Sequence, residues 1–329
     1  MAALLESLMR ILCFLVLPKD SQRQGKCFNS TAYCKLTIRS GDGGHLQSLN
    51  GNGNPTPGSA LPFLHNQVQT LEWIRDSIAA FTLPSRALQT LYYGKPALYS
   101  YYAGCSTGGA QAFALAQRHP DIFDGIYASC PGNWYTHLVL MFLWNQLHSE
   151  GPAFMDQQAL NFIQDAVLDH CDALDGVKDG ILEDPFGCNF NITSLACGRG
   201  QSPRINNQTQ CLTDVQISAA QAFYQGPRDV RNGKVIYPGF LHGSESSWLT
   251  METSLANIFS AAVLQNLVFS PSYNISQFNW GSDVDSVDLK AGTLIDHVST
   301  DMRSFFNRGG KLLVTQGAQV DDICFHSMN

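Results

Sequence analysis

The sequence predicts an α/β protein with a parallel sheet and a helical segment inserted between two parts of that sheet. An aromatic-rich run at 96–102, an Ala-rich helix at 107–118 and an apolar run at 124–129 follow one another as strand, helix and strand. Units of this kind form parallel sheets with right-handed crossover helices. A further strand is expected at 311–315, after a double-glycine turn.

The composition indicates a globular protein and excludes several function classes. Of the 329 residues, 44% are hydrophobic and 11% aromatic, which is enough to bury a sizeable core and excludes a disordered chain. The 20 Lys and Arg against 27 Asp and Glu give a net charge of -7 and no basic run, so a nucleic-acid partner is not expected. No apolar run approaches the length of a transmembrane helix, and no membrane partner is expected.

Pattern and composition divide the chain into four segments. The apolar run at 11–17 has the length of a short signal sequence, but Glu6 precedes it and no small-x-small cleavage site follows. The first segment is therefore either a leader or a mis-assigned N-terminal stretch. The predicted segments are 1–37 (leader or mis-assigned stretch), 38–149 (first part of the core), 150–298 (inserted lid domain) and 299–329 (second part of the core).

Apolar residues at helical spacing predict helices in three places. The first lies at 65–91, and Pro84 is expected to break it because proline lacks the backbone N–H of a helix interior. The others lie around 155–170 and 214–225, separated by loops rich in Cys, Asn and Gly. No alternation of strands and helices can be followed there, which predicts the inserted lid.

Cysteines and glycosylation sequons together indicate a secreted, extracellular glycoprotein. The chain has ten cysteines and no C-x-x-C pair, so the thiols are interpreted as disulfides rather than zinc ligands. A single sequon can arise by chance, but four in a chain with few charges favour secretion. The four glycosylation candidates are Asn29, Asn191, Asn207 and Asn274.

A candidate nucleophile lies between the first predicted strand and the helix that follows it. Residues 104–108 read Gly-Cys-Ser-Thr-Gly and fit the G-x-S-x-G nucleophile elbow, in which a strained turn projects the serine at the end of the sheet. A glycine on each side is expected to allow close backbone packing. The amide of Thr107, at the helix N-terminus, would point to the oxyanion formed when Ser106 attacks a carbonyl. The alternative is an ordinary Gly-rich turn.

An acidic loop at 172–184 is a candidate cation site. It carries five acidic residues in 13 positions, and Gly176 and Gly180 allow the tight turns that would bring oxygen ligands around one ion. The spacing is not that of an EF-hand. A solvated acidic turn is the alternative, although crowding carboxylates without a cation is costly.

Several short sequence motifs resemble those of the fungal tannase/feruloyl esterase family. The most specific are Tyr-Ser-Tyr-Tyr-Ala-Gly-Cys-Ser-Thr-Gly-Gly at 99–109 and Cys-Asp-Ala-Leu-Asp-Gly-Val-Lys-Asp-Gly-Ile at 171–181. The resemblance covers roughly residues 38–320, with further words at 117–120, 123–126, 133–137, 184–188, 236–239, 243–245 and 309–313.

The resemblance implies an α/β-hydrolase core with a large inserted lid domain, here cut at both ends. The implied reaction is hydrolysis of phenolic acid esters, those of tannins or of feruloylated plant wall polysaccharide, through an acyl-serine on Ser106, with Thr107 as an oxyanion donor. The implied cofactor is calcium in the lid, bound by Asp172, Asp175, Asp179 and the backbone carbonyls of Val177 and Ile181. The implied disulfides are Cys171–Cys188 and Cys197–Cys211.

The sequence also departs from the family pattern. The Gly-x-x-His-Cys segment that would supply the catalytic histidine and a partner for Cys105 is absent, which leaves that cysteine without an expected partner. The His-Gly-x-x-Asp word reads Gln316-Gly-Ala-Gln-Val320, so Asp321 could be the catalytic acid only with a one-residue shift. His326 is interpreted as a terminal surface residue. No partner is assigned to Cys13, Cys27, Cys34, Cys130 and Cys324.

Two functions follow from these observations. The first is a secreted, calcium-containing serine esterase of phenolic acid esters. The second is an inactive, calcium-stabilised family member that acts as a binding or vestigial protein, because a serine elbow without its base loses most of its rate. A peptidase is disfavoured by the family words, and the sequence does not separate gallate from feruloyl esters.

Overall fold

The structure is a computed structural model that describes residues 61–198, 204–205, 207–249 and 255–317. The predictions for the first two segments up to residue 60, for Asn29 and for Asp321 and His326 lie outside the described residues. So do those for Cys13, Cys27, Cys34 and Cys324.

The main sheet of the described residues has three parallel strands in the order β1-β2-β5. Its strands are β1 (Tyr101–Cys105), β2 (Gly125–Ser129) and β5 (Lys311–Thr315), and a small antiparallel pair consists of β3 (Arg204–Ile205) and β4 (Gln208–Thr209). Strands at 124–129 and 311–315 were expected and are present. The strand predicted at 96–102 begins later, because pairing starts where Tyr101 lies opposite Gly125.

The two faces of the main sheet have different surroundings. Tyr102, Ile126 and Leu312 share one face in register and pack in a core with the helix that follows β1 and with Phe123. On the other face Tyr101, Tyr127 and Leu313 are exposed. Parallel sheets are normally covered on both faces. In the described part of the chain, only one face of this sheet is covered by other residues.

Helices make up most of the remaining structure. They are α1 (Gln67–Leu71), α2 (Ser77–Tyr93), α3 (Thr107–Arg118), α4 (Tyr135–His148), α5 (Gln157–Cys171), α6 (Asp214–Gln225), α7 (Ala261–Val263), α8 (Ser282–Val287), α9 (Thr293–Ile295) and α10 (Arg303–Asn307). Single turns of 3-10 helix lie at Pro62–His65, Gly151–Ala153, Asp172–Asp175, Ile192–Leu195, Glu245–Ser247 and Ile275–Gln277. Turns of π-helix lie at Glu72–Asp76, Ala256–Ser260, Leu264–Val268 and Asp288–Gly292. No helix in the described ranges is long and apolar enough to cross a membrane.

The predicted break at Pro84 is wrong, because α2 continues through it. Proline at this position removes the hydrogen bond to the carbonyl of Ala80, four residues earlier. Both residues are exposed, so water can solvate that carbonyl. Ser85 Oγ also donates to the carbonyl of Phe81 at 2.8 Å, which satisfies a neighbouring backbone group.

The region from α5 to β4 and α6 has its own core and contains both disulfides that the resemblance implies. Cys171 bonds to Cys188, and Cys197 bonds to Cys211. The core includes Trp248, which is fully buried, packed against aromatic rings of α6 and the following loop. The N-cap of α6 is a complete capping box in which Thr213 and Gln216 satisfy each other's backbone amides. The helices predicted around 155–170 and 214–225 are present as α5 and α6.

Candidate active site

Ser106 has the backbone conformation of a nucleophile elbow. It lies between the last residue of β1 and the first residue of α3, with φ 57° and ψ −116°. A non-glycine residue at positive φ is strained, and such strain persists only where the surroundings hold it in place. Its N–H donates to the carbonyl of Ser129 at 3.1 Å, and its carbonyl accepts from Ala110 and Gly132. The residue is exposed at the carboxyl edge of the sheet.

The glycines around the elbow differ in how strongly the structure requires them. A Cβ on Gly104 would lie 2.3 Å from the carbonyl oxygen of Gly108, and one on Gly109 would lie 2.6 Å from the Cα of Pro131. A Cβ on Gly108 would meet only the hydroxyl of Tyr102, at 3.4 Å. The expectation that both glycines of the motif allow close backbone packing is therefore correct for Gly104 and wrong for Gly108.

The amide of Thr107 is available at the N-terminus of α3. It belongs to the first helical residue, and no side chain caps this end of the helix. The first amides of a helix have no intrahelical acceptor, and the helix dipole adds a partial positive charge there. An anion that develops beside Ser106 would therefore meet a backbone donor and a favourable field.

A row of polar groups lies at the carboxyl ends of β2 and β5. The hydroxyls of Tyr127 and Thr315 are 2.9 Å apart, and Thr315 Oγ1 donates to Ser129 Oγ at 3.4 Å. The hydrogen bond between the Tyr127 and Thr315 hydroxyls lowers the pKa of Tyr127. The carbonyl of Thr315 accepts from the N–H of Cys130, which is disulfide-bonded. Parallel strands end at the same edge of a sheet. Thr315, the last residue of β5, therefore lies at the same edge as Ser106.

Cys105 precedes the candidate nucleophile and lies partly buried at the end of β1. Burial raises the pKa of its thiol, and a hydrogen bond with Ser129 acts in the opposite direction. A raised pKa keeps a thiol protonated near neutral pH, so this cysteine is a poor nucleophile. The serine, rather than the neighbouring cysteine, is the candidate for covalent chemistry.

None of the histidine hydrogen bonds found in the described part of the chain goes to Ser106. His119 Nε2 lies 2.9 Å from Asp76 Oδ1, and His148 Nδ1 lies 2.8 Å from the carbonyl oxygen of Trp144. His297 is only 3% exposed, and neither of its ring nitrogens has a partner. A general base for the serine is therefore not assembled from the described side chains.

An aromatic group follows a turn that is hydrogen-bonded to the elbow, and the sequence alone does not identify it as functional. The ring of Trp134 stacks on that of His137, with centroids 3.8 Å apart, and Tyr237 lies 6.2 Å away. Trp134 is 38% exposed and follows Gly132, whose N–H donates to the carbonyl of Ser106 at 3.2 Å. That hydrogen bond links the segment before Trp134 to Ser106, and sequence spacing alone does not reveal it.

His137 fixes the position of the Trp134 ring. Its Nδ1 lies 2.6 Å from the carbonyl oxygen of Ile236, and its Nε2 lies 2.7 Å from Asp288 Oδ1. The imidazole thus connects the start of α4 to two distant segments while one ring face supports the indole. The same helical turn is also anchored by Asp296, which accepts from both the N–H and the hydroxyl of Thr136.

The acidic loop has the oxygen donors that calcium prefers, but the structure does not gather them around one point. Asp172 is buried, and its carboxylate accepts from the N–H groups of Asp179 and Gly180. The carboxylates of Asp175 and Asp179 accept from Val177 N–H and Ile181 N–H, two residues further on. No group of three or more His, Cys, Asp or Glu that could hold a metal occurs in the described ranges. The donor chemistry fits calcium, whereas the arrangement of the carboxylates does not.

Three of the four glycosylation candidates are described, and all three are exposed: Asn191, Asn207 and Asn274. Asn191 and Asn274 cap 3-10 turns through their side-chain oxygens. Asn207 has a positive φ of 65°, in the turn between β3 and β4. Each side chain is therefore at the surface, where a glycan would have room.

The fold is that of an α/β-hydrolase, with the candidate serine at the turn between a parallel strand and its crossover helix. The structure is similar to the crystal structure of feruloyl esterase B from Aspergillus oryzae, with a TM-score of 0.69 and 24% sequence identity. That likeness concerns the fold and covers 77% of this chain and 51% of the other.

The family model described as "Tannase and feruloyl esterase" matches residues 32–324, so the chain belongs to that family. Similar relatives include an uncharacterized esterase from Xanthomonas campestris, 33% identical over 84% of this chain, and a probable feruloyl esterase B from Aspergillus niger, 30% identical over 82%. The chain spans about half of their length, 49% and 51% respectively.

Proposed function

We propose that this chain is a carboxylic ester hydrolase that acts on phenolic acid esters through an acyl-serine at Ser106. The observation that carries the proposal is the positive φ of that serine at the turn from β1 to α3. Membership of the tannase and feruloyl esterase family supports the class of reaction. The substrates would be gallate esters of tannins or feruloyl esters of plant wall polysaccharide.

The proposed chemistry has two steps. Ser106 Oγ attacks the ester carbonyl carbon, and the Thr107 N–H donates to the oxygen as it becomes negative. The carbon–oxygen bond to the alcohol breaks, and the alcohol leaves with a proton. Water then attacks the acyl-serine, releases the phenolic acid and restores the hydroxyl.

Proton transfer in both steps requires a base and a residue that orients it. We propose Asp321 as the orienting acid, because it follows the strand β5 whose end lies at the same edge as Ser106. The base itself is not assigned to any residue of this chain. An elbow without a positioned base keeps only the rate enhancement that the oxyanion donor and binding supply.

The phenolic ring of the substrate would bind at the Trp134 indole. That ring is partly exposed, stacks on His137, and follows the turn whose Gly132 N–H donates to the Ser106 carbonyl. Aromatic rings favour offset-stacked or edge-to-face pairs with a second ring, which suits a galloyl or feruloyl group. The helical segment at 150–298 would form the lid over this site.

An ester hydrolysis assay tests the proposal. The 329-residue protein is expected to hydrolyse chromogenic galloyl or feruloyl esters, and Ser106→Ala is expected to abolish that turnover. Ser272→Ala changes an exposed serine elsewhere and should leave turnover unchanged. Comparing galloyl with feruloyl substrates identifies the preferred acid.

Failure of the wild-type protein to turn over either ester would contradict the proposal. It would instead favour the second candidate, an inactive, calcium-stabilised family member that acts as a binding or vestigial protein. Turnover that survives Ser106→Ala would show that another group is the nucleophile.

We also propose that the protein is secreted, glycosylated and binds calcium at the 172–181 loop. Exposed sequons and the two disulfides support secretion into an oxidising environment. Binding of calcium by Asp172, Asp175 and Asp179 with the carbonyls of Val177 and Ile181 would require the carboxylates to turn from their present amide partners toward the ion. The ion would stabilise the lid and take no part in the chemistry at Ser106.

Thermal unfolding with and without calcium tests this second proposal. Added calcium should raise the Tm of the protein, and a chelator should reverse the effect, because a ligand that binds only the folded state stabilises it. Asp179→Asn should reduce the shift, whereas Asp214→Asn, an exposed aspartate at the start of α6, should not. An equal shift in all three proteins, or none in any, would contradict a site in this loop.

A further inference from the structure

The hydroxyl of Tyr102 occupies the space between the strand and the helix of the elbow. Its Oη donates to the carbonyl of Gly108, in the first turn of α3, at 2.9 Å. Its ring packs beside Phe123 on the helix-covered face of the sheet. The side chain thus joins β1 to α3 directly behind Ser106.

The glycines of the elbow define this space closely. A Cβ on Gly104 would lie 2.5 Å from the Tyr102 hydroxyl, and one on Gly108 would lie 3.4 Å from it. The missing side chain of Gly104 therefore makes room for the phenol oxygen as well as for the backbone of α3.

A second side chain extends the connection into the structure. Gln111 is 3% exposed, and its Oε1 lies 3.5 Å from the Tyr102 hydroxyl. Its side-chain amide donates to the carbonyl of Trp73 at 2.6 Å. Trp73 packs edge-on against Tyr135 at the start of α4, so the connection runs from the elbow to the neighbouring core.

We propose that Tyr102 is a positioning residue for the nucleophile elbow. Its hydroxyl, supported by Gln111, holds the first turn of α3 against β1. That turn contains the Thr107 amide and follows the strained backbone of Ser106. The catalytic consequence rests on the proposed ester hydrolysis, whereas the effect on the local backbone does not.

The adjacent Tyr101 provides a matched control. Because successive residues of a strand point to opposite faces, it lies on the uncovered face of the sheet and is 73% exposed. Its ring lies over Gly125, where a Cβ would come within 2.7 Å. Removing its hydroxyl changes the same chemical group, one residue away, without touching the elbow.

Hydrogen exchange followed by mass spectrometry tests the proposal on the full 329-residue chain. Tyr102→Phe should accelerate exchange in a peptide covering 103–112 by about threefold to tenfold, as expected for the loss of one partly buried hydrogen bond. A reference peptide from α5 should be unchanged. Tyr101→Phe should change neither peptide.

Kinetics add the catalytic readout where the wild-type protein turns over an ester. Tyr102→Phe should lower kcat about tenfold and leave KM unchanged, because the geometry of the serine and its oxyanion donor changes while the ring site at Trp134 does not. Wild-type protein without turnover would contradict the proposed function, and the exchange experiment would still decide the role of Tyr102.

Unchanged exchange at 103–112 in Tyr102→Phe would overturn the proposal, as would equal acceleration in the α5 peptide, which would indicate general destabilisation. Equal losses of kcat in the Tyr101 and Tyr102 variants would overturn it too. Should Tyr102→Phe fail to fold, Gln111→Met removes the supporting amide. That variant should accelerate exchange locally in the same peptide, and no local change would again overturn the proposal.

Discussion

The sheet that carries Ser106 and the disulfide-bonded helical region around α5 and α6 are stabilised in different ways. In the described part of the chain, the sheet has three short strands, an exposed face and a strained residue at positive φ. The helical region has two disulfides, a capped helix and a core of interlocked aromatic rings around Trp248.

The candidate nucleophile thus lies in the sheet, whereas the disulfides and the aromatic core lie in the helical region. Close backbone contacts at the elbow force the serine into a conformation that would otherwise relax, which suits a preorganised nucleophile. Covalent links and aromatic packing in the other region hold loops with little regular structure. Substitutions in the sheet should accordingly destabilise the protein by adding atoms where the backbone is closely packed. Substitutions in the helical region should do so by removing a disulfide.

The largest effect is expected from crowding at Gly104. Gly104→Ala places a methyl group 2.3 Å from the backbone oxygen of Gly108, so the strand and helix must separate at a cost of about 3 kcal/mol or more. Gly108→Ala adds the same group 3.4 Å from a single hydroxyl and should change the free energy of unfolding by less than about 1 kcal/mol. Urea unfolding of both variants checks this, and equal losses would contradict the close contact at Gly104.

Removing either disulfide should destabilise the helical region by a similar amount. The two links close loops with sequence separations of 17 and 14 residues, for which the chain-entropy model gives about 3 kcal/mol each. The paired changes Cys171→Ser with Cys188→Ser, and Cys197→Ser with Cys211→Ser, should each lower the Tm. If reductant lowers the Tm of these variants as much as that of the wild type, the disulfides are not what stabilises this region.

The segment around His297, which contacts the elbow helix α3, should be sensitive to acid. His297 donates its backbone N–H to Asn133, and its own carbonyl accepts from Gln117 of α3. Burial, with Arg118 and Arg75 nearby, lowers the pKa of the His297 imidazole to about 4. As the pH falls, the imidazole of His297 is therefore protonated in the unfolded chain before it is protonated in the folded chain. The contribution of His297 to the free energy of unfolding is present above about pH 6.5 and is lost as the pH falls toward 4.

Between pH 7 and pH 5 the loss of unfolding free energy attributable to His297 should be about 2 kcal/mol. His297→Leu removes the titrating group, so its stability should fall less over the same interval in urea unfolding experiments. His119→Gln, which changes a half-buried histidine paired with Asp76, serves as the control. An identical pH dependence in all three proteins would show that His297 is not the group responsible.

The smallest effect is expected at Trp134, the proposed binding position of the phenolic ring. Trp134→Ala removes the ring on which the phenolic group would stack and should raise KM about tenfold, equivalent to about 1.4 kcal/mol. The Tm should change little because the indole is partly exposed. Steady-state kinetics with a phenolic and an aliphatic acyl ester check this, and an equal rise in KM for both would contradict ring recognition.

The sequence predicts those parts of the fold that depend on local pattern. The strand at Gly125–Ser129 and the helices at Gln157–Cys171 and Asp214–Gln225 have strong apolar periodicity, and all are present. The start of β1 could not be predicted, because it depends on where Gly125 lies opposite Tyr101. The continuation of α2 through Pro84 was not predicted, because a helix tolerates proline only where the carbonyl left without a partner faces water.

The same distinction applies to the candidate site. The elbow at Ser106 is encoded within five consecutive residues, so spacing alone finds it. Trp134 and the hydroxyl of Tyr102 act across turns and between elements, and nothing in their local sequence marks them. The proposed calcium ligands form a recognisable sequence motif, yet whether three carboxylates converge depends on the conformation of the loop.

The central claim is that Ser106 forms an acyl intermediate, and trapping that intermediate tests it most directly. The full chain would be mixed with a galloyl or feruloyl ester, quenched in acid after short intervals, digested and examined by mass spectrometry. We predict a single acyl adduct on the peptide containing Ser106, absent from Ser106→Ala and more abundant at early times than at the end of turnover. An adduct on another residue, or ester hydrolysis without any adduct, would contradict the claim.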